Sequence, residues 1–189
     1  MSKRTALLVV DMLYDFAHPE GMVYYPQNQN ILPRIRKVIN KCRKKDVLII
    51  FIVDSHRKDK YDKELTAVRP HCLQGTGGDE IMPELGFNEI TDYKVYKRRY
   101  SSFFGTDLDL ILREHDIKNT IIVGTKTNCC IRATVHDAYY LNYNVVVVED
   151  CVATNDELVN KVHLTDIRKY FGLVMKTDEL FNSLDGGEL

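Results

Sequence analysis

The stretch that decides the fold is TIIVGTKTNCCIRATVHDA, residues 120–138. It opens with the continuous apolar run of residues 120–123 and passes through a glycine-containing turn. It then enters a helical pattern, because apolar or small residues recur at spacings of three and four at Ile131, Thr134, Val135 and Ala138. A buried strand that leads directly into a helix is the repeating unit of α/β proteins.

The same alternation extends in both directions along the chain. Apolar runs cover residues 6–10, 47–53, 145–148 and 173–175, and a short strand is plausible over residues 93–96. Helical spacing lies between them, around residues 31–42, 108–112 and 159–170. Unbroken apolar runs are typical of parallel strands covered on both faces. We therefore predict an α/β fold, a three-layer αβα sandwich that forms a single domain over residues 1–189.

Composition excludes several classes of function. The 26 basic and 27 acidic residues give a formal net charge of -1, so the basic surface expected of a nucleic-acid binder is missing. No apolar stretch approaches the roughly 18 residues of a membrane span, and the N-terminal run is too short for a signal peptide. Five cysteines without CxxC spacing favour a reducing compartment. We expect a cytoplasmic protein that binds neither nucleic acid nor membrane.

Chemically active residues follow the predicted strands. Asp11 follows the first strand, Asp54 and His56 follow the second, Lys97 follows the third, and residues 124–130 follow the fourth. Ligands of parallel α/β sheets bind beyond the carboxyl ends of the strands. We therefore expect a carboxylate, a lysine, an Asp-x-His pair and a thiol to share one edge of the sheet.

Two adjacent thiols lie at the start of a predicted helix, for which Thr127 or Asn128 would be the N-cap. The positive end of a helix dipole favours the reactive thiolate. This argument does not separate Cys129 from Cys130, and a single cysteine is more often a small buried apolar residue.

Separated blocks in the sequence resemble the isochorismatase-like cysteine hydrolases, the superfamily of nicotinamidases and N-carbamoylsarcosine amidases. The resemblance covers nearly the whole chain and rests on ALLVVDMLYDF (6–16), VDSH (53–56), RPHCLQGTGGDEIMPEL (69–85), KRRYSSFFGTDLDLIL (97–112) and IIVGTKTNCCIRATVHDAYYLNYNVVVVEDCVAT (121–154). It implies a six-stranded parallel sheet in the order 3-2-1-4-5-6 and a homo-oligomer, a dimer or tetramer.

The resemblance also implies a catalytic triad. The nucleophile of this family is the third residue after the threonine of GxxTxxC, which selects Cys130 and leaves Cys129 in the core. Asp11 and Lys97 occupy the positions of the other two members. The implied activity is hydrolysis of a linear amide C–N bond in a small molecule through a thioester.

The surroundings of the nucleophile follow from the same resemblance. The oxyanion hole would use the backbone N–H groups of Lys126 and Cys130, after a cis peptide between Thr125 and Lys126. Phe16 and Tyr100 are expected pocket walls by their positions after strand ends. The Lys126 side chain is a candidate for binding an anionic substrate, and it either points at the substrate or away from it.

A metal site is implied by Asp54, His56 and His71, which match the ligands of nicotinamidases. Imidazole and carboxylate ligands suit one divalent zinc, iron or manganese ion. The competing interpretation is that these residues are solvated or bonded to backbone. Three further acids of this polar segment are interpreted as loop charges, namely Asp59, Asp62 and Glu64. No organic cofactor is expected.

Alternatives remain open for the function. The substrate is either nicotinamide-like, held through its ring nitrogen, or an N-carbamoyl or ureido compound, anchored by Lys126 or Arg99. Outside amide hydrolysis, the chain is either a non-catalytic small-molecule binder or a redox sensor that uses Cys129 and Cys130.

Overall fold

The computed structural model describes residues 4–189, along which strands and helices alternate. The six strands are β1 (Thr5–Val10), β2 (Leu48–Asp54), β3 (Tyr93–Lys97), β4 (Asn119–Thr125), β5 (Asn144–Ala153) and β6 (Leu173–Met175). The six α-helices are α1 (Tyr14–Ala17), α2 (Pro26–Arg43), α3 (Leu108–Glu114), α4 (Arg132–Tyr140), α5 (Glu157–Tyr170) and α6 (Thr177–Gly186). Among residues 4–189, no helix is long and apolar enough to cross a membrane.

All six strands form one parallel sheet in the order β3-β2-β1-β4-β5-β6, which confirms the predicted order. The chain moves outward from β1 to β3 and then returns to start the second half with β4. The strand order therefore reverses between β1 and β4, and a crevice opens beyond the carboxyl ends of these two strands.

Two apolar cores cover the sheet, one on each face. Successive side chains of a strand point to opposite faces, so β1 contributes Leu7 and Val9 to one core and Leu8 and Val10 to the other. Helices α2 and α6 pack in the first core, whereas α3, α4 and α5 pack in the second. The predicted three-layer sandwich is confirmed.

Strand β5 is longer than its apolar run of residues 145–148 predicts. It continues through the half-buried Glu149 and Asp150 to Ala153, and the register of β4 against β5 shifts between Ile122 and Gly124. This irregularity lets the polar pair interrupt the apolar pattern without ending the strand.

The long segment between β2 and β3 contains only two single-turn 3-10 helices, Glu64–Thr66 and Pro83–Leu85. An isolated bridge between Leu13 and Ile81 joins this segment to the chain that follows β1, and a second bridge, between His56 and Leu73, joins two parts of the segment itself. The segment thus follows the edge of the sheet and contributes side chains to the crevice.

Candidate active site

The sheet brings the predicted strand-end residues together. Asp54 lies directly opposite Lys97 in the register of β2 and β3. Asp11 follows β1, and its backbone N–H donates to Ile52 O at 3.0 Å, so it lies beside the end of β2. The side chains of Asp11, Asp54 and Lys97 are all almost completely buried.

The backbone at the reversal point is unusual at two neighbouring positions. Asp11 has a φ of 53°, a left-handed conformation that is uncommon outside glycine. Gly124 is the partner of Val10 in β4 and has a φ of 116°, and a Cβ built on it would lie 2.0 Å from Val10 O. Only glycine fits there, so β4 can approach β1 at the point where Asp11 turns into the crevice.

Lys97 is the centre of the buried charges. Its Nζ lies 2.9 Å from Asp11 Oδ2, 3.4 Å from Asp54 Oδ1 and 3.6 Å from Cys130 Sγ. Burial opposes its charge, but Asp11, Cys130 and Asp54 outweigh burial and raise the pKa of Lys97 well above its usual range. Lys97 therefore stays positively charged, and it contacts both other members of the predicted triad, Asp11 and Cys130.

Asp11 and Cys130 have the protonation behaviour of a base beside a thiol. Burial raises the pKa of Asp11 to about 6, against the opposing charge of Lys97 and a hydrogen bond with Cys130. A hydrogen bond with Cys129 and then burial raise the pKa of Cys130 well above its usual range, although Lys97 opposes both. Cys130 is thus held as a thiol, and the carboxylate of Asp11 is a group that can accept its proton.

Cys129 is not in the core, which corrects the prediction made from the family pattern. It is half-buried, whereas Cys130 is 6% exposed, and both line the same cavity. The hydrogen bond with Cys130 lowers the pKa of Cys129, and the charge of Lys126 acts in the same direction. Because both thiols line the cavity, a reagent in the cavity can reach either of them.

The turn that carries the thiols differs from the predicted capped helix. Residues Thr127–Ile131 form one wide π-type turn ahead of α4, and neither Thr127 nor Asn128 is its N-cap. The residue before the turn is Lys126, whose carbonyl accepts from the N–H groups of Cys129 at 2.9 Å and Ile131 at 3.2 Å. The cis peptide between Thr125 and Lys126 is present.

A cavity of about 380 Å³ opens over the triad. Phe16, Tyr100 and Lys126 line it as predicted, and further walls come from Val23, Tyr24, Tyr25 and Val68. Arg99, the alternative anchor, does not line it, because its Nη1 donates to Asp62 Oδ1 at 2.9 Å. The cavity is thus mostly apolar, with a thiol and a few polar groups at defined places, as ligand sites commonly are.

The three predicted metal ligands lie together, and a fourth residue joins them. Ligand atoms of Asp54, His56, Glu64 and His71 all lie within 4.8 Å of one another, and all four residues are buried. We call these four residues the ligand cluster. Asp54 Oδ2 lies 3.3 Å from His56 Nε2 and 3.2 Å from His71 Nε2. A set of two imidazoles and two carboxylates suits a divalent transition metal.

The hydrogen bonds behind the imidazoles orient them toward a cation. His56 Nδ1 lies 3.0 Å from Asp62 Oδ2, and His71 Nδ1 lies 2.7 Å from the carbonyl oxygen of Arg69. Both Nδ1 atoms therefore carry hydrogen, and both Nε2 atoms face the Asp54 carboxylate, where each can carry a proton or ligate a metal ion.

Such an arrangement needs a cation. The buried His56 Nε2 has no hydrogen-bond partner among the described residues. Burial lowers the pKa of His56, but Asp54 and Asp62 outweigh burial and raise it to about 9. Either a proton or a metal ion can supply the positive charge, and the residues fit a metal ion.

The interpretation of Glu64 as a loop charge is wrong, whereas Asp62 lies outside the ligand cluster, as predicted, but contacts one of its imidazoles. Asp62 supports His56, and Glu64 belongs to the ligand cluster. The available signal was weak, since both are acids a few residues after His56 in a segment with no regular pattern. Asp59, the third acid of the segment, is exposed.

Comparisons with known proteins show the family of the chain. A family model described as the isochorismatase domain matches residues 5–179. An Arabidopsis thaliana protein named a probable inactive nicotinamidase is 33% identical over 176 residues, which cover 88% of this chain and 89% of that protein. A ureidoacrylate amidohydrolase of Enterobacter sp. (strain 638) is 31% identical and covers 91% of this chain and 85% of its own length.

The solved structure of N-carbamoylsarcosine amidase from Thermoplasma acidophilum superposes with a TM-score of 0.84 at 33% identity. The match covers 93% of this chain and 97% of that one. The family resemblance of the sequence is confirmed by the family model, by these relatives and by the order of the sheet. The chain belongs to the isochorismatase family.

Proposed function

We propose that this protein is a cysteine amidohydrolase that cleaves a linear C–N amide bond of a small molecule, with Cys130 as nucleophile. One observation carries the proposal. At the base of the cavity, Lys97 Nζ lies 2.9 Å from Asp11 Oδ2 and 3.6 Å from Cys130 Sγ. A thiol and a buried base that both contact one fixed cation are what nucleophilic attack by sulfur requires.

The first half of the reaction forms a thioester. Asp11 accepts the thiol proton of Cys130 as the sulfur attacks the amide carbonyl carbon. The tetrahedral intermediate collapses, the C–N bond breaks, and the leaving nitrogen takes the proton from Asp11. The products of this half are an acyl group on Cys130 and a free amine or ammonia.

The second half releases the acid. Asp11, ionised again, accepts a proton from a water molecule that attacks the thioester carbonyl. The C–S bond breaks and the sulfur of Cys130 recovers that proton. Throughout, Lys97 stays charged and stabilises the ionised forms of its neighbours.

The negative oxygen of both tetrahedral intermediates needs donors. We assign that role to the backbone N–H groups of Lys126 and Cys130. The support is their location in the chain: Lys126 directly precedes the turn before α4, and Cys130, four residues later, is in that turn and lines the cavity.

A divalent ion fits the second part of the site. Asp54, His56, Glu64 and His71 would hold it, and it would supply a Lewis acid that ligates a ring nitrogen or polarises a substrate oxygen. This chain's own contribution is the orientation of both imidazoles by Asp62 and by the Arg69 carbonyl.

The names of the relatives point to two substrate classes, nicotinamide-like amides and N-carbamoyl or ureido compounds. The test is ammonia release from the purified protein on nicotinamide, pyrazinamide, N-carbamoyl amino acids and ureidoacrylate. Turnover of at least one compound, lost in the Cys130→Ala variant, is the expected result. A protein that binds these compounds and hydrolyses none of them is a binder, and the proposal is then wrong.

The presence of two neighbouring thiols favours a second candidate, a thiol redox sensor. Cys129 and Cys130 are adjacent in the chain and both line one cavity. Titration of thiols under mild peroxide, with amide hydrolysis followed in parallel, separates the candidates. A sensor would show rapid, reversible loss of both thiols in a protein without hydrolytic activity.

A further inference from the structure

Among residues 4–189, Lys126 is the only lysine or arginine that lines the cavity. Its Nζ lies over the ring of Tyr25, 5.7 Å from the ring centroid, within the range of a cation–π contact. Over residues 4–189 it forms no ion pair, whereas Lys97 contacts two carboxylates. The cavity therefore contains one ammonium group whose charge is not neutralised by an acid.

The rest of the cavity does not attract an anion. Asp54 and Glu64 contribute two carboxylates to the wall formed by the ligand cluster. A divalent ion bound there, or a proton on an imidazole in its place, would be offset by these two carboxylates. A negative group on a ligand is therefore directed to Lys126 by simple Coulomb attraction.

A second polar group supports binding next to Lys126. Asn155 lines the same cavity and is exposed, and its side-chain amide carries two N–H donors that a ligand can use. One ammonium and one amide match a carboxylate, which has a single charge and two acceptor oxygens.

We propose that the substrate carries a carboxylate that pairs with Lys126 while its amide carbonyl reaches Cys130. The inference rests on the proposed amide hydrolysis and narrows its substrate class to N-carbamoyl or ureido acids. Lys126 directly precedes the turn that contains Cys130, and both line the cavity, so the carboxylate and the scissile carbonyl lie a few bonds apart in the substrate. Lys126 is thus a residue that determines specificity.

The test compares two ureas of similar size, N-carbamoylglycine, which carries a carboxylate, and the neutral N-propylurea. The measured quantity is the ratio of kcat/KM between them. Loss of a hydrogen-bonded charge lowers the ratio by about 10- to 100-fold in Lys126→Met, with partial recovery in Lys126→Arg. The control is Lys94→Met, because Lys94 forms a cation–π contact with Phe87 outside this cavity and should not change the ratio.

A binding measurement separates this inference from the proposed activity. Isothermal titration of N-carbamoylglycine and N-carbamoyl-β-alanine is carried out on Cys130→Ala and on Cys130→Ala with Lys126→Met. Weaker binding of these acids in the double variant supports the inference, even where the wild type hydrolyses nothing and the amidase proposal fails. Turnover with an unchanged ratio in Lys126→Met, or no binding of either acid to Cys130→Ala, overturns it.

Discussion

The triad and the ligand cluster share one edge of the sheet but are held in different ways. Asp11 and Lys97 follow strands, and Cys130 follows β4 through a single turn. In the ligand cluster only Asp54 belongs to a strand, since Glu64 and His71 come from the long segment between β2 and β3. Asp54 joins the two groups, with Oδ1 toward Lys97 and Oδ2 toward both imidazoles.

The difference lies in how charge is balanced. In the triad, the buried carboxylate and thiol face a lysine that belongs to the chain. In the ligand cluster, Lys97 contacts only Oδ1 of Asp54, and two imidazole nitrogens face the other oxygen, Oδ2. The buried His56 Nε2 has no hydrogen-bond partner in the described part of the chain. The triad is therefore complete by itself, whereas the ligand cluster depends on a proton or a metal ion.

The largest expected effect is on the triad. Cys130→Ala removes the sulfur that lies 3.6 Å from Lys97 Nζ, and we expect kcat to fall by about 1000-fold or more. Acid-quenched mass spectrometry should find an acyl adduct on the wild type and none on Cys130→Ser, because a hydroxyl is a far poorer nucleophile here. An adduct on another residue would show that the triad is assigned wrongly.

Removal of the internal cation tests whether the triad balances its own charge. Lys97→Met leaves Asp11 and Asp54 buried without their partner, and we expect the free energy of unfolding to fall by about 3–5 kcal/mol in chemical denaturation. Adding Asp11→Asn removes one of the unpaired charges and should restore part of the stability but none of the activity. Arg113→Met breaks an exposed pair with Asp109 and should leave stability nearly unchanged. A similar loss in both single variants would contradict this account.

We expect the ligand cluster to bind a metal ion, and substitutions in it to change metal content and affinity. Elemental analysis is expected to find one divalent ion per chain, lost in His71→Ala and Glu64→Gln. Asp62→Asn removes only the support of His56 Nδ1 and should weaken metal affinity about 10- to 100-fold in a chelator competition. The matched control is Glu84→Gln, an exposed acid outside the cluster.

Kinetic measurements then test the role of the metal ion in substrate binding. If a metal-bound ring nitrogen holds the substrate, chelation and His71→Ala should raise KM or stop turnover on nicotinamide. A metal-free protein with full activity would remove the nicotinamidase interpretation. The carbamoyl class would remain.

The contrast between the two groups also explains what the sequence predicts. Asp11, Asp54 and Lys97 follow apolar runs, so the rule that parallel strands end at one edge places them together without further information. The family pattern selects Cys130. The order of the sheet followed from the resemblance, and the three layers followed from the alternation of strands and helices.

Residues outside regular elements were not predictable in the same way. The roles of Asp62 and Glu64 depend on the path of a segment whose shape is set by isolated bridges and 3-10 turns rather than by a periodic pattern. The family pattern selects Cys130 and predicts that Cys129 lies in the core, but with the wide turn at Thr127–Ile131 both thiols line the cavity. The sequence leaves Arg99 as a possible substrate anchor, whereas in the structure its side chain pairs with Asp62.

The smallest expected effect is at Cys129, and it tests whether two neighbouring thiols can have separate roles. Lys97 Nζ contacts Cys130 Sγ, and the carboxylate that accepts a proton is bonded to Cys130 rather than to Cys129. Cys129→Ala removes the hydrogen bond that raises the pKa of Cys130, so it frees the nucleophile from one opposing contact while the triad stays intact. We therefore expect kcat/KM to stay within about threefold of the wild type, against a loss of about 1000-fold for Cys130→Ala. The measurement is steady-state ammonia release for both variants on the best substrate, with circular dichroism to show that both are folded. Equal losses in the two folded variants would mean that the thiols act as one unit, and the assignment of Cys130 alone as nucleophile would then be wrong.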